Sequence, residues 1–363
     1  MKAIVVRPPS KGAEITDIEI KPEKLDGLSI KILENGVCGT DREIVKGLMG
    51  EAVCPPGDRY MVLGHEAIGI LEEDGKYLKK GDIVMPVNRR GCGKCLNCLC
   101  GRPDFCETGE FIEAGISGMH GFMREKIIDY EEFLVPVPKE IRDLAILAQP
   151  LSDLEKSFDE IVSVQRRMIW TCTDGTYNCR KALVVGTGPI GILMGLLLRS
   201  NGLMVYMANR REPTEKESKI FQTAGIEYIN TEDDFSGVLM SGLRFDLIFE
   251  ASGGTADIAA KSLKILKNNG VLGIFGFSST GHAELSSEDL QKLVYRSIAV
   301  VGLINGQKPH FQRAMLRLSE WNTIWPEIMK ELITKTVNIN DKVSVMKVLE
   351  SKGPGEIKVK ITW

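Results

Sequence analysis

Lys181-Ala182-Leu183-Val184-Val185-Gly186-Thr187-Gly188-Pro189-Ile190-Gly191 decides the fold of this 363-residue chain. Residues 181–185 are a short apolar run of the buried-strand kind. The next six fit G-x-G-x-x-G, and an apolar helix is expected from about Pro189 to Arg199, closed by Asn201-Gly202. Residues 203–208 read as the next strand. Gly186 permits a tight turn, Gly188 lets the backbone approach a pyrophosphate, and Gly191 lets the helix lie close on the sheet. Pro189 gives up an N–H that has no helical partner in the first turn, and the remaining free N–H groups face an anion. Alone the motif is weak; between a strand, a helix and a second strand it predicts a dinucleotide site on Gly186, Thr187, Gly188, Pro189, Ile190 and Gly191.

The end of the second strand speaks to the nucleotide. A reader of an unphosphorylated ribose places Asp or Glu there, about 20 residues on. This chain has Asn209-Arg210-Arg211. No carboxylate stands at that point to repel a phosphate, and two guanidiniums, whose planar forks suit phosphate oxygens, are available to hold one. The expectation is NADP, with NAD as the alternative; Glu212 follows directly, so a solvated basic turn is the ordinary explanation of the same residues.

Working outward, strands and helices alternate on the C-terminal side: strands near 227–229, 245–250, 271–275 and 298–303, helices near 213–224, 255–268 and 287–296. That alternation predicts a doubly wound parallel sheet of six strands covered on both faces. On the N-terminal side, residues 1–137 carry short strands with Gly and Pro turns, among them 28–32, 68–72, 82–85 and 133–137, and read as an all-β unit. Residues 141–167 turn helical, and 169–180 form a polar connector. Lys308-Pro309-His310 breaks the pattern, 311–333 read as helix, and 355–363 alternate like a strand that rejoins the β unit, with Ile357, Val359 and Ile361 on one face and Lys358, Lys360 and Thr362 on the other.

The length favours two domains. A net charge of −3 leaves no basic footprint for nucleic acid. No apolar stretch reaches the ~18 residues needed to span a bilayer, and Met1-Lys2-Ala3-Ile4-Val5-Val6 is strand-like without a signal-peptide core. The expectation is a cytoplasmic protein with no membrane or nucleic-acid partner.

Nine cysteines are present. Cys92, Cys95, Cys98 and Cys106 follow C-x-x-C-x-x-C-x7-C on a glycine-rich loop, the spacing of a closed tetrahedral structural zinc. An iron–sulfur cluster and a nucleic-acid zinc ribbon, the latter prompted by Arg89-Arg90, are the other readings of this lobe. Cys100 is a spare thiol within it, Cys54 has no assigned role, and Cys172 and Cys179 read as incidental thiols, with a redox pair as the alternative. More dispersed are Cys38, on a turn in Gly36-Val37-Cys38-Gly39-Thr40-Asp41, and His65-Glu66 after an apolar strand. A catalytic zinc needs about three protein ligands and an open position, and Cys38 and His65 qualify by type. Taken singly, Cys38 reads more simply as a buried thiol and His65 as a satisfied core histidine.

These residues, in this order and over nearly the whole chain, resemble the zinc-containing medium-chain dehydrogenase/reductase family. The resemblance rests on 36–41, Gly64-His65-Glu66-Ala67-Ile68-Gly69, Gly81-Asp82-Ile83-Val84, the four-cysteine lobe and the glycine turn. Within it the chain is most similar to the archaeal glucose 1-dehydrogenases, through Val87-Asn88-Arg89-Arg90-Gly91-Cys92, residues 101–107, Glu113-Ala114-Gly115-Ile116, Ala148-Gln149-Pro150-Leu151, Asn209-Arg210-Arg211-Glu212 and 305–310.

The resemblance implies a GroES-like catalytic β domain over 1–150 and 307–363, with a structural zinc lobe at 91–106, and a Rossmann NADP-binding domain over 151–306, the active site lying in the cleft between them. It implies two zinc ions per chain. Cys38, His65, Glu66 and Gln149 become catalytic-zinc residues, Glu66 as a ligand that comes and goes and Gln149 as an amide that leaves more positive charge on the metal than an anion would. Asn88, Glu113, Gln149, Asp153 and Asn305 would face the substrate, with Thr40 near the reacting hydroxyl; on their own, Glu113 and Asp153 read as a solvated loop and an exposed helix face. On the cofactor side the resemblance adds Phe275, Gly276, Phe277, Leu303, Ile304, Asn305 and Lys352. Tyr295 stands where a sugar-contacting histidine is expected. His120, His282 and His310 are expected to be structural or exposed. The implied reaction is oxidation of the C1 hydroxyl of an aldose, D-glucose first, to the lactone, with hydride passing to NADP. Thr40 or a bound water would begin the proton relay. A polyol or threonine dehydrogenase of the same family and, from another class, a non-enzymatic NADP-sensing zinc-ribbon protein are the rival readings. The family also suggests a homotetramer or homodimer.

Overall fold

The computed structural model describes residues 1–19, 27–232, 235–276, 280–353 and 355–363. Contacts divide the chain into two units, Met1–Ser152 with Asn305–Trp363, and Asp153–Ile304.

The first unit is built on β-sheet. Leu28–Val37 is its longest strand and pairs antiparallel with Ala67–Leu71, Lys126–Asp129 and the C-terminal Lys358–Thr362. The tail strand does rejoin this sheet, Val359 lying opposite Val37. Its alternation does not divide core from water, however. Val359 and Ile361 are fully buried, and Lys358 on the other face is buried too, because its ammonium meets Glu66 and that of Lys360 meets Glu34. A smaller sheet of Lys2–Val6, Ala13–Asp17 and Met61–Val62 closes over a core that includes Ile4, Leu63, Val345 and Ile361.

Two expectations fail here for local reasons. Residues 308–310 do not break the pattern; they begin the helix Lys308–Ile324, with Gln307 as N-cap and Pro309 in the first turn, where its missing N–H costs nothing. The helix expected over 311–333 ends at Trp325 before Pro326, which disfavours helical backbone in the residue preceding it. It resumes as Pro326–Leu332 and gives way to the strand Ile333–Asn338. The helix Lys342–Glu350, which follows, is opened by the Asp341 carboxylate accepting the Ser344 N–H.

The second unit is a six-stranded sheet in the order Glu227–Asn230, Met204–Asn209, Lys181–Val185, Phe245–Glu250, Leu266–Ile274, Ala299–Gly302. Every pairing is parallel. The chain starts in the middle, works to one edge, then returns and works to the other. The order therefore reverses beside Lys181–Val185, and ligands of such sheets sit beyond the strand ends at that point. The helix Pro189–Ser200 runs directly from the glycine turn and is buried from Gly191 to Leu198. Cys172 and Cys179 are not incidental thiols: they form a disulfide across the polar connector. No helix among the described residues is long and apolar enough to cross a membrane.

Candidate functional site

In the first unit the dispersed constellation is assembled. The ligand-capable atoms of Cys38, His65 and Glu66 all lie within 4.8 Å of one another. Cys38 is the N-cap of the helix Gly39–Val45, where the strand Leu28–Val37 ends. His65 and Glu66 occupy the link between Met61–Val62 and Ala67–Leu71. Gly36 makes the packing possible, since a Cβ there would fall 1.8 Å from Glu66 Oε2 and 3.1 Å from Ile146. Ile146 is followed three residues on by Gln149, which is buried in the first turn of the helix Ala148–Gln165.

Asp41 organises the pair. One carboxylate oxygen accepts the Cys38 backbone N–H at 2.8 Å, and the other stands 3.4 Å from His65 Nδ1. Burial alone would depress the imidazole pKa; the nearby Asp41 carboxylate, then Cys38, override it and hold His65 well above the usual range. A field that favours a proton on this ring favours a cation beside it in the same way. Thr40 Oγ1 lies 3.9 Å from Cys38 Sγ. Lys358, which sequence reading placed only on a strand face, donates to both oxygens of Glu66, at 2.8 and 2.7 Å, and the pair is buried.

A second cluster of the same unit gathers three of the residues expected to face substrate. Asn88, Glu113 and Asn305 are all buried. Glu113 Oε1 accepts from Arg89 Nε at 3.0 Å and from Asn88 Nδ2 at 3.5 Å. With its amide oriented to match these neighbours, Asn305 donates to Glu113 at 3.2 Å and accepts from Arg89 Nε at 2.9 Å. Glu113 is thus no solvated loop residue. Arg89, missed as a site residue, is its centre, with the guanidinium carbon 3.8 Å from the centre of the Phe111 ring. Arg90 stacks likewise on Phe133 and pairs with Asp129 at 2.6 Å. These arginines, which had prompted a nucleic-acid reading, face inward.

The four-cysteine lobe is also formed, the sulfurs of Cys92, Cys95, Cys98 and Cys106 within 4.8 Å of one another, and Cys100 exposed and apart. Backbone N–H groups of Cys95 and Cys98 point to the preceding sulfurs, at 3.4 and 3.5 Å. Hydrogen bonding, from the Thr108 hydroxyl first, brings the Cys92 thiol down to about 6, while burial and its thiol neighbours push Cys98 up to about 12. Four sulfurs so close cannot all ionise without a cation among them, which is the condition a closed zinc site meets.

In the second unit the glycine turn has the predicted backbone. Gly186 has φ +105°, and Gly188 is the N-cap of a helix with Pro189 in its first turn. A Cβ on Gly191 would lie 2.0 Å from the Gly186 carbonyl oxygen. Gly191→Ala is therefore expected to weaken dinucleotide binding at least tenfold and to lower stability by about 1–3 kcal/mol; cofactor titration and thermal melting check this, and unchanged values would contradict the close approach. Asn209 Nδ2 donates to Thr187 Oγ1 at 2.7 Å. Arg210 is exposed. The Arg211 guanidinium already has a carboxylate beside it. Glu217 takes it with two bonds, of 2.7 and 2.6 Å, and Arg211 also reaches Thr187 Oγ1 at 3.3 Å. Against the opposing effect of burial, Arg211 and the Thr214 N–H hold Glu217 down to about 2. Because its folded pKa lies below the ordinary value of ~4.3, this carboxylate stabilises above about pH 4 and ceases to as pH falls toward 2. Glu217→Gln should flatten that part of the acid-unfolding curve, and a superimposable curve would contradict it.

The Glu250 carbonyl accepts the N–H groups of Phe275 and Gly276, both at 3.0 Å, and Leu303 N–H donates to the Ile274 carbonyl at 2.9 Å. The Ile304 carbonyl accepts from Lys156. Asp153 is half-buried and belongs to this unit, whereas Lys352 is exposed and belongs to the first. Tyr295 is 86% exposed. Phe277 lies outside the described residues.

Comparison with known proteins matches a family model described as glucose dehydrogenase C-terminus to residues 142–361, and one described as alcohol dehydrogenase GroES-like domain to 24–139. Glucose 1-dehydrogenase 1 of Picrophilus torridus is 56% identical and glucose 1-dehydrogenase 2 of Saccharolobus solfataricus 50%, each match covering 100% of both chains. Among solved structures, glucose dehydrogenase from Haloferax mediterranei in complex with NADP, Zn and gluconolactone is similar with a TM-score of 0.88 at 26% identity, over 100% of this chain and 99% of that one.

Proposed function

This chain belongs to the glucose dehydrogenase family of zinc-containing medium-chain dehydrogenases/reductases, and from that premise we propose that it oxidises the C1 hydroxyl of D-glucose or a related aldose to the lactone with NADP as hydride acceptor. The observation that carries the reading is the Cys38–His65–Glu66 trio, its imidazole and carboxylate buried and its thiol half-buried, in a chain 56% identical, end to end, to a glucose 1-dehydrogenase. The donor sets fit the metal: thiolate, imidazole and carboxylate for a catalytic zinc, and four thiolates for a structural one; Gln149 would complete the first set. When bound, zinc supplies Lewis-acid stabilisation of negative charge on the substrate oxygen, and NADP supplies the hydride acceptor.

The chain's own residues do the rest. Cys38 and His65 hold the metal, and Asp41 fixes both, through the Cys38 N–H and beside the His65 ring. Lys358 neutralises Glu66, so Glu66 is held ready as a ligand without an uncompensated charge beside the reacting oxygen. Thr40 Oγ1, or a water bound beside it, would be the first link of the proton relay, the hydroxyl accepting the substrate's proton as it passes its own on toward solvent. Glu113 and Asn88 bind sugar hydroxyls, and a site built to pair hydroxyls discriminates strongly against analogues that lack them. Gly186–Gly191 receives the pyrophosphate, with Asn209, Arg210 and Arg211 at the adenosine ribose. An initial-rate screen of aldoses, polyols and amino alcohols with NADP and NAD, with and without a chelator, tests the reading. Aldose-dependent, chelator-sensitive reduction of NADP supports it, and preference for a polyol or threonine overturns it.

Arg210, exposed and without a charged partner among the described residues, is the guanidinium to meet the 2′-phosphate, while Arg211, held by Glu217, braces Thr187. Arg210→Ala is accordingly expected to raise KM for NADP about tenfold, a loss of about 1.4 kcal/mol, with little change for NAD. Equal losses for both cofactors would contradict this. A homo-oligomer is also part of the proposal. Ala299–Gly302 is an open edge strand, and the neighbouring helix Ser287–Tyr295 exposes Leu290, Val294 and Tyr295.

A further inference from the structure

We propose that the nucleotide-binding unit carries a second anion site, at the end of its parallel sheet opposite the glycine turn, which takes a small molecule bearing a diphosphate. A cavity of about 880 Å³ opens there, within the range of small-molecule sites. Its lining includes Arg180, Asp246, Leu266 and Lys267, at or beside the first residues of three strands, whereas Gly186 follows the last residue of one of them. The strands are parallel, so the two sites lie at opposite ends.

The charge balance of the cavity points to a ligand. Six cations line it, Arg180, Arg244, Lys264, Lys267, Lys292 and Arg296, against two carboxylates, Asp246 and Asp289. Asp246 is committed to Arg180 at 3.1 Å and Lys267 at 2.7 Å. Asp289 caps its own helix through Ser286, and Lys292 pairs with Glu288. Arg244, Lys264 and Arg296 remain: among the described residues no carboxylate forms an ion pair with any of them, although the Asp289 charge also acts on Lys264. The two arginines are half-buried and tied only to neutral oxygens: Arg244 to the Leu243 carbonyl at 2.8 Å, Arg296 to the Leu263 and Leu266 carbonyls and the Asn268 side chain. Burial, and then the charge of Arg244, lower the Arg296 pKa. Partly buried like charges without a counterion repel, and an anion between them removes that cost. Leu263, Leu285 and Leu293 add apolar lining, and a less polar surround strengthens the attraction. Guanidinium forks match phosphate oxygens best, and a concave site on a chain of net charge −3 suits a small anion better than a nucleic acid.

The experiment is a calorimetric titration of inorganic pyrophosphate into the zinc-loaded protein already saturated with NADP. The expected result is one further site per chain, weaker at high salt, and weakened at least tenfold in the Arg244→Gln/Lys264→Gln double variant. That variant is first checked for unchanged NADP binding; should it fail the check, exposed Lys264→Gln alone serves, with a weakening of at least threefold expected. Absence of a further site in the wild-type protein, or pyrophosphate binding indifferent to these substitutions, would overturn the proposal.

Discussion

Replacing Cys38 by Ser or His65 by Ala should lower kcat/KM for glucose by about 10³-fold or more while the protein still melts cooperatively near the wild-type temperature. The size follows from what a metal supplies to developing negative charge. Several kcal/mol of stabilisation at ~1.4 kcal/mol per decade gives at least three decades. The selectivity follows from position. Cys38 caps a helix whose N-terminus is also closed by Asp41, and His65 sits in a link between strands rather than in a hydrogen-bonded ladder. Either change therefore removes a ligand without removing a structural support. Zinc analysis should show the loss of one ion per chain with the four-cysteine ion retained. Full activity in either variant would end the metal's role at these residues, and loss of both ions would indicate general unfolding.

Lys358→Met should destabilise the first unit by about 3–5 kcal/mol, the cost of leaving a buried carboxylate unpaired. Lys358 and Glu66 are almost wholly excluded from water, and the ammonium bonds both carboxylate oxygens. The midpoint of thermal unfolding should fall by roughly 6–12 °C. The Lys358→Met/Glu66→Gln double variant should recover a large part of that loss, because no uncompensated charge then remains. Strict additivity of the two substitutions would show that the pair is not energetically coupled.

What could be read from the sequence alone was what depends on near neighbours. The glycine turn, with its strand before and helix after, is a contiguous run whose steric needs are all local, and it appears as anticipated. The alternation of 357–361 was enough to place the tail strand. Cys92, Cys95, Cys98 and Cys106 announce their lobe by spacing. The charges inside the fold were not legible, because each depends on a partner that only the folded chain brings beside it, whether near or far in sequence. Lys358 reads as an outward face until Glu66, 292 residues away, is brought beneath it. Arg89 reads as a basic surface residue until Phe111 and Glu113 enclose it. Arg211 reads as an unpaired charge until the first turn of the next helix presents Glu217. A run of Lys-Pro-His looks like a break, but the same proline is well suited to a helical first turn, and only the Gln307 cap decides between them. In each case side-chain type was informative and side-chain partner was not.

The most direct test of the central claim follows one atom. Glucose labelled with deuterium at C1 is supplied with NADP to the zinc-loaded enzyme, and the label is traced. The account predicts that deuterium leaves the sugar as hydride and is found in the reduced nicotinamide, with the lactone formed in equal amount. Reduced cofactor carrying no deuterium, or deuterium retained on the sugar product, would contradict it.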